Sequence, residues 1–332
     1  MSKTFRALIV EENPDGTPDR YIGERNTDEL PAGDVLIRVT HSGLNYKDAL
    51  SASIHKGITR TYPHTPGLDA SGIVDESNNA EFKPGDRVLV TGYDLGMNTA
   101  GGFGEYIRVP AEWVVPLPEA LSLREGMILG TAGFTAALAI YRLERHGLTP
   151  KSGSVLVTGA TGGVGSMGVM MLARSGYHVV ASTGKLDELD YLRELGAAEV
   201  IHRDQINDNS DKPLLTRRWA GAIDTVGGRP LARLLAAMDY EGGIAVCGNV
   251  AGVDLSTTVY PFILRGAALI GINSATTPMP LRRELWNRIA TEWKNELLEE
   301  MAHDVTLEQI DDEIERILRG EQRGRVVLEH RG

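Results

Sequence analysis

One stretch limits what this chain can fold into more than any other. Ser154-Val-Leu-Val-Thr-Gly-Ala-Thr-Gly-Gly-Val-Gly165 reads as a short apolar strand, a glycine-rich turn and the start of a helix running to Arg174. That order of elements seats a dinucleotide pyrophosphate. Gly162 lets the backbone approach the phosphates, and Gly165 lets the helix pack closely on the strand. The open helix N–H groups and the helix dipole favour the negative charge. Ala160 stands where the first glycine of G-x-G-x-x-G sits, so the strict pattern is missed; a turn of this kind also occurs as a plain tight loop.

The next element separates the two nicotinamide cofactors. Tyr177-His-Val-Val-Ala-Ser182 is a second short apolar strand, and it ends in Thr183-Gly184-Lys185. An NAD site places Asp or Glu about 20 residues past the glycines to bind the ribose 2′-OH. Here a hydroxyl, a flexible glycine and a cation stand instead. Thr183 can donate to a 2′-phosphate and Lys185 can neutralise it, whereas a carboxylate would repel it. The alternative for Lys185 is a solvated charge opening the next helix. Asp187 follows too late to be the usual ribose ligand. The expected cofactor is NADPH.

Composition narrows the class. At 332 residues the chain is long enough for two domains with cores of their own. A hydrophobic fraction of 42% and 38 glycines suit an α/β protein rich in tight turns. A net charge of −11 argues against a nucleic-acid partner, and leaves any anionic ligand to a local basic patch. No run approaches the length of an apolar membrane span, and the N-terminus does not read as a signal peptide. The expectation is a cytoplasmic protein without a membrane partner. The one cysteine, Cys247, lies in the apolar run Ile244–Cys247. It reads as a small buried hydrophobe, and it excludes an intrachain disulfide and a four-cysteine zinc site.

Three blocks follow along the chain. Short runs at Arg6–Val10, Asp34–Thr40, Ser71–Asp75, Arg87–Thr91 and Tyr106–Val109, punctuated by Pro and Gly, predict an all-β unit. Strand signals then alternate with helical ones at Val155–Val157, Val179–Ser182, Glu199–His202, Gly221–Thr225, Gly243–Cys247 and Leu269–Ile272. That is the pattern of a doubly wound parallel sheet. The tail Leu281–Leu318 reads as helical, with Arg325–Leu328 as a last strand returning to the β unit.

A β unit before a dinucleotide unit, with the C-terminus returning to the first, resembles the medium-chain dehydrogenase/reductase superfamily along essentially the whole chain. The resemblance implies an α/β protein with a GroES-like β domain, residues 1–124 and 275–332, and a Rossmann doubly wound parallel-sheet domain, residues 125–274. Zinc-dependent alcohol dehydrogenases of that superfamily carry a Cys near the end of the first long strand and a Gly-His-Glu further on. This chain reads Gly43-Leu-Asn-Tyr-Lys-Asp48 and Gly67-Leu68-Asp69 there, so no metal is expected.

What remains resembles the zinc-free quinone oxidoreductase branch. Four strings resemble its acrylyl-CoA reductase group, namely Leu44–Leu50, Tyr62–Asp69, Trp219–Val226 and Pro261–Gly266. The implied enzyme is an NADPH-dependent acrylyl-CoA reductase, a zinc-independent oxidoreductase. It would reduce the C=C bond of a short 2-enoyl-CoA such as acryloyl-CoA to propanoyl-CoA, with hydride to Cβ and a proton to Cα. One departure is Asn273, where that group carries Asp. An NADPH-dependent quinone or enone reductase is the alternative within the fold, and an NADPH-binding protein without turnover is the alternative outside it.

The resemblance also carries site residues. Tyr46 would bind cofactor, its hydroxyl orienting the carboxamide or ribose or relaying the proton to Cα. Thr161, Gly162, Gly163 and Val164 would form the phosphate turn, followed by Thr183, Gly184 and Lys185. Arg218 is a candidate second cation for the 2′-phosphate. Asn249, Phe262, Ser274 and Arg323 are further cofactor candidates. Arg282 and Arg283, at a predicted helix start after Pro278 and Pro280, are candidates for the phosphates of an acyl-CoA substrate. Lys47 and Asp48 read as a local ion pair or a reactive set, and Asp69 as a structural acceptor. Leu269–Ile272 reads as a sheet edge, and the family expectation is a homodimer paired along it.

Overall fold

The computed structural model describes residues 2–207, 210 and 212–331. It divides into two compact units, Met1–Thr131 with Ala275–Gly332, and Ala132–Ser274.

Unit 1 begins with β1 (Thr4–Glu12) and β2 (Pro18–Asn26), an antiparallel hairpin. It continues through β3 (Val35–Gly43), helix α1 (Tyr46–Ala52), β4 (Asp69–Ser77), β5 (Arg87–Thr91), β6 (Tyr106–Val109) and β7 (Val115–Pro116). Helix α2 (Leu123–Arg145) carries the chain out of the unit.

Unit 2 alternates strand and helix, with β8 (Ser154–Val157), α3 (Gly163–Arg174), β9 (His178–Thr183), α4 (Leu189–Glu194) and β10 (Glu199–His202). There follow β11 (Trp219–Asp224), α5 (Gly228–Ala236), β12 (Met238–Val246), α6 (Tyr260–Arg265) and β13 (Ala268–Gly271). The chain then re-enters unit 1 with α7 (Met279–Arg288), β14 (Ala302–Val305), α8 (Ile310–Leu318) and β15 (Arg325–Glu329).

The sheet of unit 2 runs β10-β9-β8-β11-β12-β13, and every neighbouring pair is parallel. Strand order therefore reverses between β8 and β11, the place where ligands bind in open α/β sheets. Parallel strands covered on both faces must be apolar throughout, and Val155, Leu156 and Val157 of β8 are fully buried. Leu231, Leu234 and Leu235 of α5 pack with Leu156, Val180, Ala222 and Ile244 in one core.

The sheet of unit 1 runs β14-β15-β3-β4-β5-β7, with β6 on β3. Val35, Ile37, Val39, Val74, Val88, Val90 and Ile107 fill its interior. A second core joins α1 to the returning tail, where Leu44, Ala49 and Ala52 meet Ile310, Ile314, Val326 and Leu328. The start of α1 is thus packed against the last strand of the chain.

Three expectations change. The tail is interrupted by β14, which pairs parallel to β15, so Leu281–Leu318 is not helical throughout. β2 carried no strand signal, because Pro18-Asp-Arg-Tyr-Ile-Gly-Glu-Arg-Asn26 is mostly polar and half-exposed, and the hairpin with β1 makes it a strand. The chain also leaves unit 1 after Thr131 rather than after residue 124. Hydrogen bonds hold the first turns of α2 in unit 1: Ser71 Oγ donates to Leu123 O, and Arg325 Nε to Ile128 O. The helix breaks at Gly130, whose φ of 48° and ψ of −151° are open to glycine.

A Cβ at Gly130 would also overlap the Asp69 carboxylate. Gly130→Ala should lower stability by roughly 1–3 kcal/mol, read as a fall in the chemical-denaturation midpoint. An unchanged midpoint would show that the break has no structural cost.

Candidate functional site

The glycine turn follows β8 at the switch point of the unit 2 sheet. Gly162 caps α3 in extended conformation (φ −79°, ψ 172°), and Gly163 and Val164 form the first turn of that helix. A Cβ at Gly165 would overlap Gly159 O, so helix and strand approach too closely for any side chain there. A Cβ at Gly162 would meet only Gly159 O at 3.4 Å, so the turn is open in front of it. Close approach at Gly165 fixes the helix, and open space at Gly162 presents backbone N–H groups. Thr161 is buried beside the turn, its Oγ1 3.5 Å from Thr183 Oγ1.

β9 delivers Thr183, Gly184 and Lys185 to the same edge. The Lys185 N–H donates to Thr183 Oγ1 at 3.0 Å, leaving the threonine hydroxyl hydrogen to be donated elsewhere. Next to them lies a residue that sequence reasoning missed. Arg203 follows β10, and its guanidinium covers Gly184, where a Cβ would lie 2.8 Å from Nε and 2.9 Å from Cζ. Strand parity was the available signal: β10 lies beside β9, so the residue after its carboxyl end reaches the same edge as Thr183. Hydroxyl, lysine and arginine at one strand end make a donor set suited to a phosphate monoester.

Arg218, expected as that second cation, has its backbone at the start of a strand rather than at its end. It precedes β11, which runs parallel to β8 with Ile223 opposite Val157, so its residue lies before the strand while the glycine turn lies after. Its guanidinium stacks on Trp219 at 4.5 Å and reaches Gln205 O at 3.5 Å. Phe262, half-buried on α6, packs against the apolar core of unit 2. Asn249 stands in the exposed loop after β12, and Ser274, beyond β13, accepts from Thr135 Oγ1 at 2.8 Å. Cys247, expected as a small buried hydrophobe, is half-buried, and its thiol donates to Asp224 O at 3.3 Å. Burial, then the Asp224 charge, pushes its thiol up to about 12.

In unit 1, Tyr46 is the first residue of α1 and is 40% exposed. Lys47 is exposed with it, whereas Asn45 is half-buried and Asp48 buried. Asp48 makes no ion pair with the exposed Lys47. Its Oδ2 instead accepts from the Asn45 N–H at 2.8 Å, and its Oδ1 from the N–H groups of Gly67 and Leu68 at 3.1 and 2.8 Å. Burial, then the neighbouring Asp69 charge, pushes the Asp48 carboxyl up to about 7. Asp69 is fully buried and accepts from Thr131 N, Thr131 Oγ1 and Asn45 Nδ2 at 2.8, 2.6 and 2.8 Å. Arg325, also buried, faces it across 3.6 Å.

Of the two arginines expected at an acyl-CoA phosphate, one is enclosed by the fold. Arg282 is fully buried, donating to Thr91 O, Thr91 Oγ1 and Ala275 O at 2.8, 3.0 and 3.0 Å, with Tyr93 stacked on it at 4.5 Å. Pro280 starts a helix whose second turn points inward, so the guanidinium serves backbone carbonyls. Arg283 pairs with Glu81 at 2.5 Å. Arg323 is exposed ahead of β15.

A metal does not fit this corner. Leu68, 2% exposed, offers no donor atom, and no group of three His, Cys, Asp or Glu among the described residues is placed to hold one.

Comparison with known proteins follows the same division. Residues 31–119 match the family model of the alcohol dehydrogenase GroES-like domain, and residues 163–293 that of the zinc-binding dehydrogenases. The Bacillus subtilis protein named quinone oxidoreductase YhfP is 47% identical over 99% of both chains. Its structure with NAD bound aligns over 99% of this chain and 100% of that one with a TM-score of 0.96. Acrylyl-CoA reductase AcuI of Ruegeria pomeroyi is 44% identical over 98% of this chain and 99% of its own. The yhdH oxidoreductase of Salmonella enterica, in complex with NADP, has a TM-score of 0.95 at 41% identity, covering 98% of this chain and all of that one. Two domain matches, near-complete coverage and a non-ligating residue in the metal position lead to one assignment: the chain belongs to the zinc-free quinone oxidoreductase branch of the medium-chain dehydrogenase/reductase superfamily.

Proposed function

We propose that the protein reduces the C=C bond of a short 2-enoyl-CoA such as acryloyl-CoA with NADPH, giving propanoyl-CoA. The observation that carries the cofactor is the cluster of Thr183, Lys185 and Arg203 at the end of β9, a hydroxyl and two cations that suit a 2′-phosphate. The near-full-length identity to a protein named acrylyl-CoA reductase supports the substrate.

When bound, NADPH supplies the hydride that Cβ of the conjugated thioester accepts. The residues of this chain do the rest. Thr161 to Val164 and the start of α3 hold the pyrophosphate through backbone N–H groups. Thr183, Lys185 and Arg203 hold the 2′-phosphate. The Tyr46 hydroxyl serves the reacting end, donating a proton towards Cα or a hydrogen bond to the oxygen on which negative charge develops.

Quinone reduction is the second reading. It is favoured by the identity to YhfP and by the burial of Arg282, which removes one of two cations expected for CoA. NADPH oxidation, followed by absorbance with acryloyl-CoA, crotonoyl-CoA and benzoquinone in parallel, separates the two. Faster turnover of acryloyl-CoA is expected, and turnover of benzoquinone alone would replace the first reading by the second.

Arg203→Ala should weaken NADPH binding about 10- to 100-fold, the loss of one charge-assisted hydrogen-bonding group, and leave NADH binding unchanged. Arg218→Ala should alter neither. Titration of intrinsic fluorescence checks both, and equal losses for the two cofactors would remove Arg203 from the 2′-phosphate.

We also propose a homodimer formed through β13. That strand is a sheet edge, and α6 beside it exposes Tyr260, Ile263 and Leu264. Sedimentation should show a species larger than the 36.0 kDa chain, reduced to monomer by Ile263→Asp with Leu264→Asp. A wild-type monomer would end the proposal.

A further inference from the structure

The proposed chemistry uses Tyr46 but none of the buried polar groups that flank it. Asn45, the residue before it, touches all of them. Its Nδ2 donates to Asp69 Oδ2 at 2.8 Å and to Gly43 O at 3.0 Å, with Asp48 Oδ2 a longer third partner at 3.3 Å. Its Oδ1 accepts from an Arg325 terminal nitrogen at 3.2 Å, and that nitrogen also donates to Leu44 O at 2.7 Å. Two hydrogens and one acceptor are thereby fully engaged.

On the other side of Tyr46, Asp48 ties the first turn of α1 to the Gly67–Leu68 turn through three backbone N–H groups. The pocket is closed around these contacts. A Cβ at Gly43 would lie 2.7 Å from Arg325, and one at Gly130 would lie 3.1 Å from it. The backbone of Asn45, just before Tyr46, and the side chain of Asp48, two residues after it, are held by hydrogen bonds, while Tyr46 itself is exposed.

We propose that Asn45 and Asp48 are positioning residues that act through Tyr46, fixing the backbone from which its hydroxyl projects. A tyrosine has only two rotatable side-chain bonds, so where its hydroxyl sits follows from where its backbone is held. A shift of about 1 Å at a reacting group costs up to roughly 100-fold in rate. The inference rests on the role given to Tyr46 above.

Asn45 offers a sharp substitution. Asn45→Asp keeps the shape but turns a donor into an acceptor facing Asp69, Asp48 and Gly43 O. It should therefore be more damaging than Asn45→Ala, the reverse of the order that side-chain size gives. Both should lower kcat and leave the Kd for NADPH unchanged, since the cofactor turn belongs to unit 2.

The deciding experiment is a double-mutant cycle on kcat for acryloyl-CoA, with wild type, Asn45→Ala, Tyr46→Phe and the double variant, each checked for folding by circular dichroism. Asn45→Ala should lower kcat roughly 10- to 100-fold in the wild type and have little further effect once the Tyr46 hydroxyl is gone. Losses that multiply would overturn the inference while leaving the role of Tyr46 standing. A wild-type kcat in Tyr46→Phe would remove that role, and with it the inference. Should Asn45→Ala fail to fold, Thr131→Val takes its place, loosening Asp69 without touching α1, with a smaller loss and the same non-additivity expected. If the wild type reduces only benzoquinone, the same cycle on that acceptor decides between the same outcomes.

Discussion

Two carboxylates and one guanidinium lie out of water at the point where β3, β4, α1, α2 and β15 meet in unit 1. Removing such charges from water costs several kcal/mol each, and the arrangement holds only where the lost hydration is replaced atom by atom. Here it is replaced. Asp48 and Asp69 accept from backbone N–H groups, from Thr131 and from Asn45, and Arg325 donates to Ile128 O, Leu44 O and Asn45. The cluster explains why the chain has glycine at 43 and 130, since any larger residue would enter it. It also explains why α2 breaks where it does and why the final strand returns to β3. A corner that resembles the metal corner of zinc-dependent dehydrogenases is held together by hydrogen bonds, with Leu68 and Asn45 in place of ligating side chains.

Unit 2 applies a different constraint to a similar end. Its turn works because backbone approaches backbone, Gly165 against Gly159, and this brings the start of α3 to the switch point of the sheet. Asp224 supports the facing strand end, buried and accepting from Thr158 Oγ1 at 2.7 Å and Gly227 N–H at 2.8 Å. In the proposed reading, the elements of unit 2 that face the cofactor phosphates are chiefly backbone, with side-chain charge added at the end of β9. A net charge of −11 does not oppose that, because the field at the turn is set by N–H groups and nearby cations within a Debye length.

Much of this was legible in the sequence, for reasons that differ by residue. The central strand β8 was marked by a short apolar run, because a parallel strand buried on both faces favours apolar residues. Gly165 was legible because a close approach forbids a side chain whatever surrounds it. β2 was not, because its partner rather than its own residues makes it a strand. Arg203 and Arg218 show the limit most clearly. Both are arginines beside predicted strands, and which one reaches the phosphate edge depends on whether it follows or precedes its strand. Asp48 was read as a neighbour of Lys47, whereas its partners are at 67 and 68, a contact that only the folded β4 approach creates.

Arg282 carries the same lesson into chemistry. An arginine at a helix start after two prolines has the sequence of an anion site, yet its guanidinium is committed to Thr91 and Ala275 and stacked on Tyr93. A buried arginine satisfied by carbonyls has no hydrogen left to offer a ligand in the directions already taken, and its burial lowers its proton affinity rather than recruiting an anion. Cations therefore cannot be counted from sequence as available charge. In this chain the difference separates Arg203, covering a glycine at an open strand end, from Arg282, enclosed by the fold. The reading of the cofactor stands on the first kind of residue. The reading of the substrate stands on conjugated-bond chemistry and relatedness, for which a side chain such as Tyr46, exposed on a rigidly held backbone, is the part the fold supplies.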